Sequence, residues 1–244
     1  VSVELAARGE GGHSSMPPRQ TAVGVLARAV ARLEANPLPG GIRGATGLLF
    51  DHAGPEMPLG MRLVFANRWL FGPLLERRLA ASPSTDAALR TTTAATVFHA
   101  GTKDNVLPAR ARAVVNFRVL PGDSVAGVLA HVRRVVDDPR VEARALGFAS
   151  EPSPVSGTET EGFRTIQRTI RQTFPDAIVA PYLVVGATDA RWFHGLSPDV
   201  YRFLPVRMNA EDLERMHGTD ERVAVAGYGA AVRFYAQLLR NGAS

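Results

Sequence analysis

The chain has no cysteine and only one lysine, Lys103, among its 244 residues. Without cysteine it forms neither a disulfide nor a thiolate metal site. Any metal would therefore be held by His, Asp or Glu, the ligands that suit zinc, manganese or another borderline-to-hard ion. Because a cysteine-free chain suits the cytoplasm and the periplasm equally, localisation stays open between these two compartments.

Long apolar runs are also missing, although hydrophobic residues make up 45% of the chain. No segment approaches the roughly 18 consecutive apolar residues that span a bilayer, so no membrane segment is expected in this chain. The net charge of +5 raises the question of nucleic-acid binding. The arginines are scattered among acids, and no run of them alternates with aromatic residues, so nucleic acid is not an expected partner.

Alternating apolar and polar residues predict four strands within residues 1–148. The strands are "VSVELAARG", "TTTAATVFHAG", "RARAVVNFRVLPG" and "RVEARALGF". Helical spacing of apolar residues follows the first and the third of them. A Pro/Gly-rich loop over 37–58 and an apolar helical insert over about 59–81, broken near Gly72-Pro73, precede the second strand. This β-α-(insert)-β-β-α-β order predicts a ferredoxin-like α/β (α+β) domain, with four antiparallel strands and two helices on one face.

Residues 149–244 begin with a polar stretch, "ASEPSPVSGTETEG", that is typical of a domain crossing. Beyond it, helices alternate with only two predicted strands, "AIVAPYLVVG" and "VYRFLPV". Because a sheet averages about five or six strands, this segment is expected to be the C-terminal part of a larger α/β domain.

His217 stands in "RMHGTDE", between a predicted strand and the final helix. A neutral imidazole there is a good metal ligand, which Asp220 or Glu221 could orient. Equally, Asp220 could cap the last helix beside a surface histidine. No His-x-x-x-His, His-x-Asp or similar paired spacing occurs, so the chain alone has too few ligands for a catalytic metal.

Three further places in the chain are candidates for binding a ligand: residues 186–189, Arg118 and Asn105. Gly186, Thr188 and Asp189 open a short helix whose backbone N–H groups could receive a carboxylate, unless Asp189 merely caps a turn. Arg118 lies on the strand face away from the helices, where it could bind a carboxylate bidentately or simply be solvated. Asn105 stands in the turn "KDNVLP", where an asparagine is more often structural than ligand-binding.

His13 stands in the glycine-rich loop "GEGGHSSMPP". A histidine in such a flexible, polar loop could donate a hydrogen bond to a developing oxyanion, although the residue by itself is weak evidence. The other histidines have no partner pattern and are interpreted as structural or surface residues: His52, His99, His131 and His194.

Taken in order, "GxGGHSSMPP", "NVLPxxAxxxxxxRxxPG", "GATDARWF" and "HGTDE" closely resemble the dizinc aminoacylase and carboxypeptidase metallopeptidases. The apolar insert looks most like the carboxypeptidase S and N-fatty-acyl-amino-acid hydrolase branch. The resemblance implies that residues 1–148 are a lid and dimerisation domain and that residues 149–244 close a zinc-binding catalytic domain. The family's first catalytic segment, with most zinc ligands and the general base, has no counterpart here, which implies a fragment.

The resemblance also implies roles for the residues singled out above. His217 would bind one of two zinc ions, and His13 would steady the oxyanion in the opposite subunit of a homodimer. Asn105 and Arg118 would hold the substrate carboxylate, helped by the backbone of residues 186–189. The implied reaction is zinc-dependent hydrolysis of the amide bond of peptides or N-acyl-amino acids, and this chain alone would be inactive.

A different class of function stays open beside this one. The chain could be a non-catalytic dimerisation or binding module that keeps the ferredoxin-like domain for assembly. Sequence upstream of Val1 that carries the His-x-Asp and Glu-Glu pairs would favour the enzyme, and its absence would favour the module.

Overall fold

The computed structural model describes residues 1–243, with the backbone only for Ala210. Within that range the strands are β1 (Ser2–Arg8), β2 (Gly12–His13), β3 (Thr92–Ala100), β4 (Val106–Leu107), β5 (Arg110–Arg118) and β6 (Val141–Leu146). The α-helices of the same range are α1 (Ala22–Ala35), α2 (Gly44–Ala53), α3 (Leu59–Ala66), α4 (Arg68–Leu79), α5 (Pro83–Asp86), α6 (Val125–Val136), α7 (Glu161–Thr173), α8 (Ala210–Arg215) and α9 (Val225–Gly242). Two 3₁₀ helices cover Gly54–Glu56 and Asp189–Phe193.

The chain divides into two compact units, each built from two stretches of sequence. Residues 1–46 and 67–153 form the first unit, and residues 47–66 join those from 154 onward in the second. No helix of the described range is both long enough and apolar enough to cross a membrane.

The first unit is built on an antiparallel sheet with the strand order β3-β5-β1-β6. Helices α1 and α6 pack against one face of it, and the buried core lies between the two layers. Alternate residues of the central strands supply this core: Val3, Leu5, Ala7, Ala111, Ala113, Val115 and Phe117. The ferredoxin-like order predicted from the sequence is confirmed.

Both core helices begin at a side-chain cap. The Thr21 hydroxyl accepts the Gly24 N–H at 3.1 Å at the start of α1. At the start of α6 the Ser124 hydroxyl accepts the Gly127 N–H at 3.0 Å. Each cap satisfies an N–H group that has no partner within its helix.

The sheet face away from α1 and α6 carries a buried carboxylate. The side chain of Glu4 on β1 is only 8% exposed and bonds Arg112 at 2.6 Å and Arg144 at 2.7 Å. These arginines extend from the neighbouring strands β5 and β6, so one carboxylate ties three strands together. The network is fully paired, as a buried charge requires.

Glu4→Gln is expected to lower the free energy of unfolding by about 1–2 kcal/mol, because two arginines lose the charge that they share. Urea unfolding followed by circular dichroism measures this change. The matched control is Asp176→Asn, which breaks an ion pair with Arg207 in which both side chains are more than 60% exposed. An exposed pair contributes about 0–1 kcal/mol, so equal losses in both variants would contradict a buried role for Glu4.

The insert differs from its prediction in two places. Residues 44–53 form helix α2, within the segment predicted to be loop. The chain breaks at Asn67, between α3 and α4, and not at Gly72-Pro73, because Pro73 is accommodated inside α4. Restarting the helix at Arg68 places Pro73 shortly after the first turn, so only one interior hydrogen bond is lost.

The second unit is organised around α7 and α9. Asn241 on α9 donates through its side-chain amide to the Thr169 hydroxyl on α7 at 2.8 Å. The ring of Phe163 on α7 meets that of His52 on α2 edge-on, with the ring centroids 5.6 Å apart. Residues 47–66 are thereby held to a helix that follows them by about 110 residues of sequence.

The two strands predicted for residues 149–244 are absent from the described part of that segment. Both "AIVAPYLVVG" and "VYRFLPV" run without strand partners. Side-chain contacts hold the second stretch instead, since Ser156 bonds both backbone groups of Val200 at 2.9 and 3.0 Å. The prediction was wrong because an apolar segment becomes a strand only when a neighbouring backbone pairs with it.

Candidate functional site

His13 and Asn105 are brought together by a two-stranded ribbon. Strands β2 and β4 pair His13 with Val106, and the Ser14 N–H donates to the Asn105 carbonyl oxygen at 3.2 Å. A Cβ on Gly11 would lie only 3.2 Å from the Leu107 carbonyl oxygen, so glycine permits this close approach. The side-chain amide of Asn105 makes no hydrogen bond within residues 1–243.

The surroundings of His13 define which ring nitrogen carries its proton. The Ser15 backbone N–H donates to Nδ1 at 3.2 Å, and the Ser15 hydroxyl lies 2.8 Å from the same atom. A nitrogen that accepts an N–H bond carries no proton, so the neutral ring is protonated at Nε2. The side chain is exposed, and Nε2 has no partner in the described range. His13 therefore presents a free N–H donor.

Arg118 lies at the opposite end of β5 from this ribbon. It is the last residue of the strand, exposed, and paired across the sheet with Thr92 on β3. Arg110 begins the same strand next to β4, and at roughly 3.3 Å per residue the two arginines lie about 26 Å apart. Within one chain, Arg118 therefore does not share a small ligand with His13 or Asn105. It forms no ion pair in the described structure.

In the second unit, Thr188 is held by an arginine that the sequence did not single out. Arg202 donates from Nε to the Thr188 hydroxyl at 3.0 Å, and its Nη2 lies 3.5 Å from His194 Nε2. Asp189 opens the 3₁₀ helix but is not its cap, since Thr188 occupies that position. A Cβ on Gly186 would meet no atom within 4 Å, so the backbone there is open to approach.

Arg202 is hidden in the sequence by its apolar neighbours in "VYRFLPV". Its hydrogen bond to Thr188 joins residues 14 positions apart in an irregular segment. No periodic sequence pattern predicts such a bond. The only available signal is a lone charge within an apolar run, which is typical of a residue with a specific partner.

His217 lies in the loop after α8 with a left-handed backbone, φ 59°. Asp220 is also left-handed, at φ 64°, and pairs with Arg222 at 2.5 Å. Helix α9 starts only at Val225 with Ala224 as its N-cap, so Asp220 is not the cap. The capping alternative for this loop is therefore wrong. The exposed imidazole of His217 has no partner in the described range.

The described residues do not assemble a metal site. Nowhere in that range do three or more His, Asp or Glu side chains cluster as ligands. Asp220, the nearest candidate to support His217, is engaged by Arg222. One histidine falls short of the three or four ligands that a protein zinc site uses.

The remaining histidines include two with structural contacts. His131 is buried on α6, with Nε2 2.9 Å from the Asn36 carbonyl oxygen. His52 places Nδ1 2.9 Å from the Leu48 carbonyl oxygen. Both contacts agree with the structural roles predicted for them.

Residues 1–144 match the family model of the M20 peptidase dimerisation domain. Over 241 residues the chain is 45% identical to a probable carboxypeptidase S-like protein of Dictyostelium discoideum, covering 99% of this chain and 46% of that protein. It is 40% identical over 234 residues to an N-fatty-acyl-amino acid synthase/hydrolase of Homo sapiens. This match covers 94% of this chain and 46% of that protein. The chain thus spans about half the length of these curated relatives, and the resemblance predicted from the motifs is confirmed.

Solved structures share the fold at low sequence identity. An M20 family metallo-carboxypeptidase from Sulfolobus solfataricus superposes with a TM-score of 0.64 at 16% identity, covering 98% of this chain and 57% of that one. An aminopeptidase from Bacillus cereus gives a TM-score of 0.57 at 14% identity, and the match covers 100% of this chain and 52% of that one.

Proposed function

Because this chain belongs to the M20 peptidase dimerisation-domain family, we propose that it is part of a zinc-dependent hydrolase that cleaves the amide bond of peptides or N-acyl-amino acids. Residues 1–148 would be the lid and dimerisation domain, and residues 149–244 the C-terminal part of the catalytic domain. Helix α9 supports the second assignment. Its stripe of Val225, Tyr228, Val232 and Leu239 is exposed, and an apolar face of this kind suits burial by further catalytic-domain structure.

The observation that carries the proposed chemistry is the fixed tautomer of His13. Amide hydrolysis places negative charge on the carbonyl oxygen as the tetrahedral intermediate forms. A neutral imidazole with its proton on Nε2 donates this N–H to the developing oxyanion as a hydrogen bond. We assign His13 to this role, with Ser15 as the residue that positions the ring.

The residues described here do not themselves accommodate zinc. His217 would be one ligand at most of the two-zinc centre, and the other ligands and the general base would come from residues outside this chain.

The length of β5 suggests how the lid is used in a homodimer. His13 and Asn105 at one end and Arg118 at the other are too far apart to bind one amino-acid substrate together. We infer that the two ends of one lid serve the two different active sites of the dimer. Each site would then receive His13 and Asn105 from one subunit and Arg118 from the other.

Strand β3 supplies an edge for such a dimer. It pairs with β5 on one side and has no partner strand on the other within the described range. Its residues, "TTAATVFHA", include no Asp, Glu, Lys or Arg. Natural edges usually carry charges that prevent pairing, so an uncharged edge rich in Thr, Ala and Val favours association with a second copy.

The function is tested by assaying the intact protein and the 244-residue chain in parallel on an N-acyl-amino acid and a dipeptide. The intact protein is expected to bind zinc and release free amino acid, and the chain alone to do neither. Turnover by the chain alone would contradict the placing of the base outside it. Dimers without turnover or zinc in the intact protein would favour the non-catalytic module instead.

Ser15→Ala in the intact protein is expected to lower kcat by about 2- to 10-fold with little change in KM, because one neutral hydrogen bond to His13 Nδ1 is lost while the backbone N–H remains. The matched control is Ser14→Ala, whose hydroxyl makes no hydrogen bond in the described range. The ¹⁵N chemical shifts of the His13 ring report the tautomer independently. An unchanged Nδ1 signal in Ser15→Ala would contradict the positioning role.

A further inference from the structure

Helix α4 exposes an apolar face that the proposed amide chemistry does not use. Trp69 is 82% exposed, Leu70 57% and Leu74 69%. Pro73 is exposed between them. Positions i, i+1, i+4 and i+5 lie on one side of a helix, so these side chains form a continuous stripe. A tryptophan so exposed, beside two exposed leucines, is unusual on a surface that only contacts water.

The same face ends in positive charge. Arg77 and Arg78 continue the stripe by one further turn, and both are exposed without an ion pair in the described residues. Glu76, the only acid of α4, is half-buried two turns after Trp69, and its Oε1 accepts the Ile42 N–H at 2.9 Å. The exposed residues of the stripe are therefore apolar at its start and cationic at Arg77 and Arg78.

The Glu76 bond links α4 to the segment before α2. The first turn of α4 is closed by the Asn67 carbonyl oxygen, which accepts the Leu70 and Phe71 N–H groups at 2.9 and 3.0 Å. The Thr85 hydroxyl donates to the Leu79 carbonyl oxygen at the C-terminal end.

We propose that α4 docks on an anionic lipid surface. Trp69, Leu70 and Leu74 would enter the boundary between headgroups and acyl chains, where tryptophan is favoured and a helix lies in the plane of the interface. Arg77 and Arg78 would meet the headgroup phosphates, and basic side chains attract the negative surface potential of such a leaflet. The charge of this face selects anionic lipid over neutral lipid.

The experiment is vesicle flotation of the intact protein on phosphatidylcholine alone and on phosphatidylcholine with about 30% phosphatidylglycerol, a content that gives a strong negative surface potential. Wild type is expected to float at least about 10-fold more with the anionic vesicles. Trp69→Glu/Leu74→Glu should abolish flotation on both. Arg77→Glu/Arg78→Glu should lower flotation on anionic vesicles by at least about 30-fold and so remove the preference for anionic lipid, because two near-surface positive charges become negative.

The matched control is Arg28→Glu/Arg133→Glu, which makes the same change in net charge on exposed positions of α1 and α6. Its flotation should equal that of wild type. No flotation of wild type, or equal loss in the control and the α4 variants, would overturn the proposal. Circular dichroism verifies that each variant is folded, and amide hydrolysis in detergent-free buffer should not change in any of them, so this test is separate from that of the proposed reaction.

Discussion

Arg118→Ala in the intact protein is expected to lower kcat/KM for an N-acyl-amino acid by about 10²- to 10³-fold. The exposed guanidinium at the end of β5 has no acidic partner in the described chain, so it is available to a substrate carboxylate. Removing one partner of a hydrogen-bonded charge pair costs about 2–5 kcal/mol, and 1.4 kcal/mol corresponds to tenfold. Initial-rate kinetics on the zinc-loaded protein measure the loss.

The control for this prediction changes the substrate. When its carboxylate is replaced by a carboxamide, wild type and Arg118→Ala should differ by less than about threefold, since no ion pair exists to lose. Arg118→Lys keeps the charge but not the bidentate geometry, and should fall between the two. Equal losses on both substrates would mean that Arg118 supports the fold and does not bind the carboxylate.

Mixed dimers of His13→Ala and Arg118→Ala protomers are expected to recover about a quarter of the wild-type activity, although each variant alone is nearly inactive. In a statistical mixture about half of the dimers are heterodimers, and one of their two active sites receives both intact residues. The remaining site receives both substitutions. Co-expression with two affinity tags isolates the heterodimer, whose activity should then be about half that of wild type.

A second mixture tests the geometry behind this expectation. His13 and Asn105 lie on one ribbon, so both are expected to serve the same active site. Substituting either residue should therefore inactivate the site that this ribbon serves. His13→Ala mixed with Asn105→Ala should therefore show no recovery. Recovery in this second mixture, or none in the first, would contradict the placing of the two ends of β5 in different active sites.

The fold of the first unit could be predicted from the sequence because its signals are local. Strand β1 alternates every second residue, and α1 and α6 carry apolar residues at helical spacing with a Thr or Ser cap. Each of these patterns depends only on residues a few positions apart. Antiparallel pairing of the four strands then follows from their order along the chain.

The second unit was harder to predict because its signals depend on distant partners. The stretch "AIVAPYLVVG" has the composition of a buried strand, but no neighbouring backbone pairs with it in the described structure. The contact of Arg202 with Thr188 and the tautomer of His13 depend on individual side-chain positions. No spacing rule reports either of them.

The sequence predicts the candidate residues one by one, but the distances between them within one chain depend on the structure. Asn105 and Arg118 are only 13 positions apart and were expected to act on one carboxylate. A strand is nearly fully extended, so most of that separation becomes distance. The same 13 residues in a helix would span roughly 20 Å, and in a hairpin much less, so the secondary structure decides which residues can meet.

The contact between His52 and Phe163 also has a consequence for synthesis on the ribosome. About 110 residues separate the two rings, and a ribosome adds roughly 5–20 residues per second, so the partner of α2 emerges on the order of 10 s later. Helix α2 therefore waits for this contact while residues 67–153 are synthesised. Slowed translation across residues 67–153 would lengthen this interval and raise the demand on chaperones that bind nascent chains.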